Sequence, residues 1–291
     1  MKNNYISECP LILDGAMGTE LLRMGVELPL PLWSAVANET CSDMVYEIHH
    51  EYVNAGANVL TTNSFRTTPY AYKKAGFSRR DALLRSEKNL KNAVSIAKKA
   101  LSGTQLIAGG IAPIEDCYSP EIYPGDTQLK KSMESVIKWF HETEVDIILF
   151  ETMGNSREIS RILFFIENCD LPIWLSLILE DKNHLLDGTA LHDVLETLST
   201  SKVEILLLNC NTIQLTLKAI HTIKKYWNGS WGVYPNLGIK NPEIDGKIEQ
   251  IISNETWRCQ VKEFLFEKPS VIGACCGSTP EHIRIIKEII E

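Results

Sequence analysis

Eight short apolar runs, separated by amphipathic stretches, constrain this chain more than any other feature. The runs are LILDG (11–15), ANVLTTN (57–63), QLIAGGIA (105–112) and VDIILFE (145–151), then PIWLSLIL (172–179), VEILLLNCN (203–211), WGVYPN (231–236) and SVIGACC (270–276). Most lack the polar–apolar alternation of a half-exposed strand, so they read as strands buried on both faces, as in a parallel sheet. Between them lie helical patterns. Leu83, Leu90, Val94, Ala97 and Leu101 fall at helical spacing, as do Leu129, Met133, Val136, Ile137 and Phe140. Two further stripes are Ile159, Ile162, Leu163, Ile166 and Leu191, Val194, Leu195, Leu198. The last helix opens at Ser278-Thr279-Pro280, a hydroxyl cap before a first-turn proline. Strands alternating with helices in this number, over 291 residues, predict an α/β fold: a (β/α)8 TIM barrel, one domain spanning 1–291. An open doubly wound sheet is the alternative, but no GxGxxG or P-loop follows any run. The segment 238–268 exceeds a simple connection and reads as an elaborated βα unit.

Composition narrows the partners. The 29 Lys+Arg against 37 Asp+Glu give a formal net charge of −8, which repels phosphate, so nucleic acid is not an expected partner. No apolar run reaches membrane-spanning length and the start MKNNYISECP lacks an apolar signal region, so a cytoplasmic location is expected. The oligomeric state, monomer or homo-oligomer, is left open.

The 8 cysteines, at 9, 41, 117, 169, 210, 259, 275 and 276, are too sparse for a disulfide scaffold and are expected to be reduced. Chemistry in a parallel barrel comes from the C-terminal strand ends. The polar residues there are Asp14, Thr62-Asn63-Ser64, Glu151, Cys210 and Cys275-Cys276. Three thiols on one rim describe a metal site with an open fourth position, and Zn²⁺ is the ion that thiolates favour. Adjacent cysteines of a regular strand point to opposite faces, so Cys275 and Cys276 share an ion only if the chain turns, which Gly277 permits. Taken alone, Cys210 also suits a buried apolar cysteine, and the pair a buried pair or vicinal disulfide. Asp14 also suits a turn before Gly15. Glu151 is harder to read as structural, because a carboxylate ending an apolar strand is costly unless paired or facing a substrate. Two carboxylates near an electron-rich metal suit a substrate bearing an ammonium group. His49-His50, on a helix, are expected at its edge or in solvent, and His184 could border the site.

ILDGAMGTELLRMG (12–25), PLWSA (31–35), AGANVLTTNSF (55–65) and FETMGNSREI (150–159) resemble, in order, the homocysteine S-methyltransferase family. LLDGTALHDV (185–194), LLLNCN (206–211), VYPNLG (233–238) and VIGACCGSTPEHI (271–283) continue the resemblance nearly to the C-terminus. It implies zinc-dependent methyl transfer to a thiol on a (β/α)8 barrel. Cys210, Cys275 and Cys276 would be the zinc ligands and the catalytic centre. Asp14 and Glu151 would hold the homocysteine amino group, with Gly15 and Thr62 as further substrate contacts. Homocysteine's thiol would lose its proton at the metal and attack an activated methyl group, giving methionine. A sulfonium donor would suit an aromatic face, for which Trp33 and Tyr123 are candidates.

Some positions depart from the family pattern. Ala274 stands where relatives often have glycine, and Gly277 where they often have arginine. Arg66 occupies a place that is aromatic in some betaine-using relatives, which argues against betaine. PLWSA and LLDGT lean toward S-methylmethionine or S-adenosylmethionine as donor. Selenocysteine or another thiol as acceptor, a corrinoid- or betaine-type donor, and a non-catalytic metal or redox sensor on the same barrel remain the alternatives.

Overall fold

The computed structural model describes residues 9–240, 246–248 and 250–291. All eight apolar runs contain a strand. They are β1 (Leu11–Ile12), β2 (Val59–Thr61), β3 (Leu106–Ile111), β4 (Ile147–Met153), β5 (Ile173–Leu177), β6 (Val203–Thr212), β7 (Ser230–Asn236) and β8 (Val271–Ile272). Neighbours pair in parallel around the ring, from β1 through β8, β7, β6, β5, β4 and β3 to β2. The ring closes where Leu13 bridges Val59 in parallel and the Asp14 amide donates to the Val59 carbonyl at 3.0 Å. The expected TIM barrel is therefore the fold, and the doubly wound alternative is excluded by the closure.

β1 and β8 are shorter than their apolar runs, and past β1 a side chain stands in for the ladder. The Asp14 carboxylate accepts from the Thr61 amide at 2.8 Å, in the place of a strand carbonyl. Past β8, the Gly273 and Cys275 amides still donate to Val233 and Pro235 at 2.9 and 2.8 Å.

Inside the barrel, Leu13, Val59, Ala108, Ile147, Leu149, Trp174, Ile205, Leu207, Tyr234 and Val271 form one buried cluster. A larger cluster fills the layer between barrel and helices. Because a strand alternates faces, the inward positions run Ile147, Leu149, Glu151 on β4 and Ile205, Leu207, Asn209 on β6. Beyond β8 the same count gives Val271, Gly273, Cys275. The core pattern climbs each strand and turns polar at the top layer.

The expected helices form as Arg79–Ala100, Asp126–Glu142, Ser156–Ile166, Leu191–Ser199 and Pro280–Ile290. Their starts follow from capping: Ser78 and Asn155 accept from the Asp81 and Glu158 amides at 3.1 and 2.9 Å. Helices Ser42–Ala55, Ile213–Tyr226 and Asn254–Phe266 extend the outer layer. A short antiparallel hairpin, Leu179–Asp181 with His184–Leu185, lies above β5. The segment after β7 folds back on itself through the Ile239 amide, which donates to Gln250 at 3.0 Å. Residues 241–245 and 249 of that elaborated unit, like residues 1–8 at the start, lie outside the described residues.

The reading of His49 needs correction. It is fully buried, and neither ring nitrogen has a hydrogen-bond partner. Val45, Ile48, His49 and Tyr52 fall on one stripe of helix Ser42–Ala55, so helical spacing sends His49 inward despite its polarity. Burial pushes its pKa down to about 4. The unfolded chain then binds the proton first as pH falls below the usual histidine range, so stability drops between roughly pH 6.5 and 4. Denaturant titrations at pH 7 and pH 5 should show wild type losing about 2 kcal/mol more than His49→Leu. Equal losses would place the acid sensitivity elsewhere.

Candidate active site at the barrel rim

A cavity of about 560 Å³ opens at the C-terminal ends of the strands. Asp14, Gly15, Thr62, Asn63, Glu151, Cys210, Cys275 and Cys276 all line it, whereas Ser64, also singled out at a strand end, does not. Its size is that of a small-molecule site.

Two backbone irregularities aim the thiols. Asn209 points into the barrel, so the next residue of a regular strand would point out. Cys210 instead takes φ +53°, a left-handed conformation that is costly for a non-glycine residue, and the β6–β7 register shifts beside it. Its Sγ thereby turns back to 2.6 Å from Cys275 Sγ and 3.5 Å from Cys276 Sγ. After Cys276 the chain turns through Gly277 at φ +81°, as the adjacent pair requires, and the Cys275 and Cys276 sulfurs are 3.9 Å apart. All three cysteines are free thiols.

A tetrahedral ion with metal–sulfur bonds of about 2.3 Å separates its sulfurs by about 3.8 Å. Two of the three spacings match that edge, and Cys210 and Cys275 stand closer together. The cluster could hold a metal ion, with the sulfurs within 4.8 Å of one another. Hydrogen bonds from Cys210 and Cys276 hold the Cys275 thiol well below its usual range, whereas its bond to Cys275 keeps Cys210 well above. The trio therefore concentrates anionic character on Cys275.

Two acids face this charge. Burial, with a smaller contribution from Cys275, pushes Asp14 up to about 8 against the pull of its Thr61 bond. Burial also raises Glu151 well above the carboxylate range, followed by Cys275 and Asp14, while Tyr234 donates to it at 3.3 Å. An acid pair raised by desolvation and a nearby anion is relieved by a cation placed between them.

Gly15 and Thr62 shape the wall. A Cβ on Gly15 would lie 2.6 Å from the Tyr52 ring, whose hydroxyl donates to the Ala16 carbonyl at 3.0 Å. Gly15→Ala should therefore cost about 1–3 kcal/mol of stability, read by denaturant titration; an unchanged midpoint would show that the ring yields freely. The Thr62 hydroxyl accepts from the Gly110 amide at 3.2 Å and lies 2.6 Å from Ser64 Oγ, which donates to the Gly110 carbonyl. That hydroxyl clamps β2 to β3, while the residue still contributes to the cavity wall.

Of the two aromatic candidates, Trp33 lines the cavity and Tyr123 does not. Tyr123 instead donates to Asp126 at 3.1 Å, under the Arg157 guanidinium. His184 pairs with Asp181 at 2.9 Å and lies outside the cavity.

Residues not foreseen include Asn209, which accepts from the Thr152 amide at 2.9 Å and Ser176 Oγ at 2.6 Å. Tyr234, Glu115, Cys117 and Tyr118 also line the cavity. Inward counting along β6 and β7 would have found Asn209 and Tyr234. The others sit on the irregular loop after β3, where no period applies.

Fold and site together define a parallel (β/α)8 barrel with a three-thiol cluster, a buried carboxylate and a half-buried one in one rim cavity. The chain belongs to the homocysteine S-methyltransferase family, whose model matches residues 11–290, and is an enzyme of the methyltransferase class. It is 28% identical to the homocysteine S-methyltransferase of Escherichia coli (strain K12) over 95% of this chain and 94% of that one. It is 26% identical to a selenocysteine methyltransferase of Astragalus bisulcatus, over 96% of this chain and 92% of that one. The metallated form of the homocysteine methyltransferase MmuM from Escherichia coli superposes with a TM-score of 0.84 at 25% identity, covering 97% of each chain.

Proposed function

We propose that this chain moves a methyl group from a sulfonium donor, S-methylmethionine or S-adenosylmethionine, to the thiol of homocysteine, giving methionine. The observation that carries this reading is the convergence of three thiols and two raised carboxylates on one cavity. Cys210, Cys275 and Cys276 would hold zinc; the soft sulfur set, facing an open cavity, fits that ion. When bound, zinc offers a Lewis-acidic position that lowers the pKa of an incoming thiol. The existence of a metallated form of MmuM supports a metal in this barrel.

The chain's own residues supply the rest. Asp14 and Glu151 bind the acceptor's ammonium, which compensates the charge that burial penalises in each. Gly15 and Thr62 give the acceptor a close-fitting wall. No side-chain base is needed once the acceptor sulfur is a thiolate. The barrel works as one homocysteine-binding domain over 1–291, in the cytoplasm, where thiols stay reduced. Among the described residues no helix is long and apolar enough to cross a membrane.

Selenocysteine is the second acceptor to weigh, because a relative named for it matches nearly the whole chain. A non-catalytic sensor has no use for Asp14 and Glu151 beside the thiols. The test is a donor screen on the zinc-loaded protein with homocysteine fixed. S-methylmethionine or S-adenosylmethionine should yield methionine where betaine and methylcobalamin do not. No methionine with any donor would sink the proposal, and preference for selenocysteine in competition would revise the acceptor.

A further inference from the structure

Cys210 lies near the C-terminal end of β6 and the Cys275-Cys276 pair follows β8. In a closed ring of eight, the wall facing that arc is built by β2, β3 and β4. Arg66 follows β2 there, half-buried and lining the cavity, and its Nη1 donates to the Glu115 carbonyl on the loop after β3 at 2.6 Å. That bond uses one of five guanidinium donors.

The nearby carboxylate is already engaged. Glu115 accepts from the Tyr70 hydroxyl at 2.6 Å through one oxygen and pairs with Lys74 at 2.5 Å through the other. Among the described residues Arg66 has no ion pair. Arg79, Arg80 and Arg85, which also lack one, are exposed. Arg23, Arg157, Arg161, Arg258 and Arg284 each hold a carboxylate. Arg66 is thus a cation partly removed from water, flanked by the Phe65 ring 5.5 Å from its Cζ, with spare donors; the buried Glu158 carboxylate feels its charge without pairing with it. A guanidinium in that condition is matched to a planar carboxylate.

We infer that Arg66 binds the carboxylate of the methyl donor. This rests on the methyl-transfer reading above. In that transfer the acceptor sulfur forms the new S–C bond while the donor's C–S bond breaks. The donor sulfur keeps the electron pair and leaves as a neutral thioether. Acceptor sulfur, methyl carbon and donor sulfur must lie nearly in line. With the acceptor sulfur at the cysteines, the donor extends toward the opposite wall, where Arg66 stands. Tyr118, on the same β3 loop, also lines the cavity.

The test is a double-mutant cycle between Arg66→Ala and esterification of the donor, using S-methylmethionine and its methyl ester. Arg66→Ala should lower kcat/KM for S-methylmethionine by about 10–100-fold, the range of a hydrogen-bonded charge pair. Wild type should lose a similar factor on the ester, and Arg66→Ala should distinguish acid from ester by less than about threefold. Arg66→Lys should recover part of the loss. Equal losses for acid and ester would reduce Arg66 to a structural role and overturn the inference. The same coupling to homocysteine and its methyl ester would assign Arg66 to the acceptor and also overturn it. If wild type forms no methionine, the methyl-transfer reading fails. Calorimetry of the same four combinations without homocysteine then decides separately: coupling keeps Arg66 as the carboxylate site, and its absence removes it.

Discussion

Cys210→Ser is expected to abolish binding of the proposed zinc and to lower homocysteine methylation by about a hundred- to several hundredfold. Apparent binding energies of thiolate zinc sites are roughly 10–16 kcal/mol, so one ligand carries about 3–4 kcal/mol, about a hundred- to several hundredfold in affinity. A serine hydroxyl keeps its proton at neutral pH and offers hard oxygen where the ion favours sulfur. Serine adds no steric demand, so the left-handed turn at this position, φ +53°, is retained and the comparison isolates the sulfur. Elemental analysis should find about one zinc per chain in wild type and less than about a tenth of that in the variant. Cys259→Ser, at an exposed position of helix Asn254–Phe266, should keep the wild-type content. Chelation should bring wild type to the variant's activity, and added zinc should restore wild type alone. Stoichiometric zinc in purified Cys210→Ser would remove the cluster from the proposal.

The same turn marks the boundary of what the sequence discloses. Barrel closure was legible because strands buried on both faces leave unbroken apolar runs, and eight such runs have few ways to close. The rim residues were legible because a polar group ending an apolar run contradicts its burial. The direction of Cys210 was not legible, since it depends on a left-handed backbone and a register shift that no residue type there signals. Gly277 was different: glycine announces the turn that brings Cys275 and Cys276 together. Asn209 and Tyr234 lay within reach of inward counting, which separates barrel lumen from helix layer where hydrophobicity alone does not. Arg66 was visible, but its missing counter-ion follows from Lys74 and Tyr70 occupying Glu115, a three-dimensional fact. His49 shows the reverse failure, with polarity given more weight than its place on an apolar stripe.

Glu151→Gln should move affinity and stability in opposite directions. Homocysteine affinity should fall about a hundredfold or more, because removing one partner of a desolvated charge contact costs roughly 2–5 kcal/mol. Stability without substrate should rise. Burial first, then the anionic Cys275 and Asp14, raise the Glu151 pKa in the folded chain. The unfolded chain gives up that proton at its ordinary carboxylate pKa, so the folded state binds more protons over the interval between the two values. The acid therefore costs stability progressively as pH rises through that interval, whereas glutamine carries no such cost. Asp14 adds a slope of the same sign between roughly 4 and its raised value of about 8. Glu151→Gln should accordingly melt higher than wild type at pH 8, with the difference shrinking toward pH 5. Asp14→Asn is less clean, because its carboxylate also accepts from the Thr61 amide where β1 meets β2. Calorimetric titration with homocysteine and thermal melts at the two pH values read both arms. A carboxylate kept only for folding would lose stability on substitution and leave affinity nearly unchanged. Glutamine that lowers the melting temperature at pH 8, or that binds homocysteine as tightly as wild type, would take Glu151 out of the ammonium site. The opposed movements would follow from one cause: an acid pair strained by desolvation in the free enzyme and relieved when the proposed ammonium substrate neutralises it.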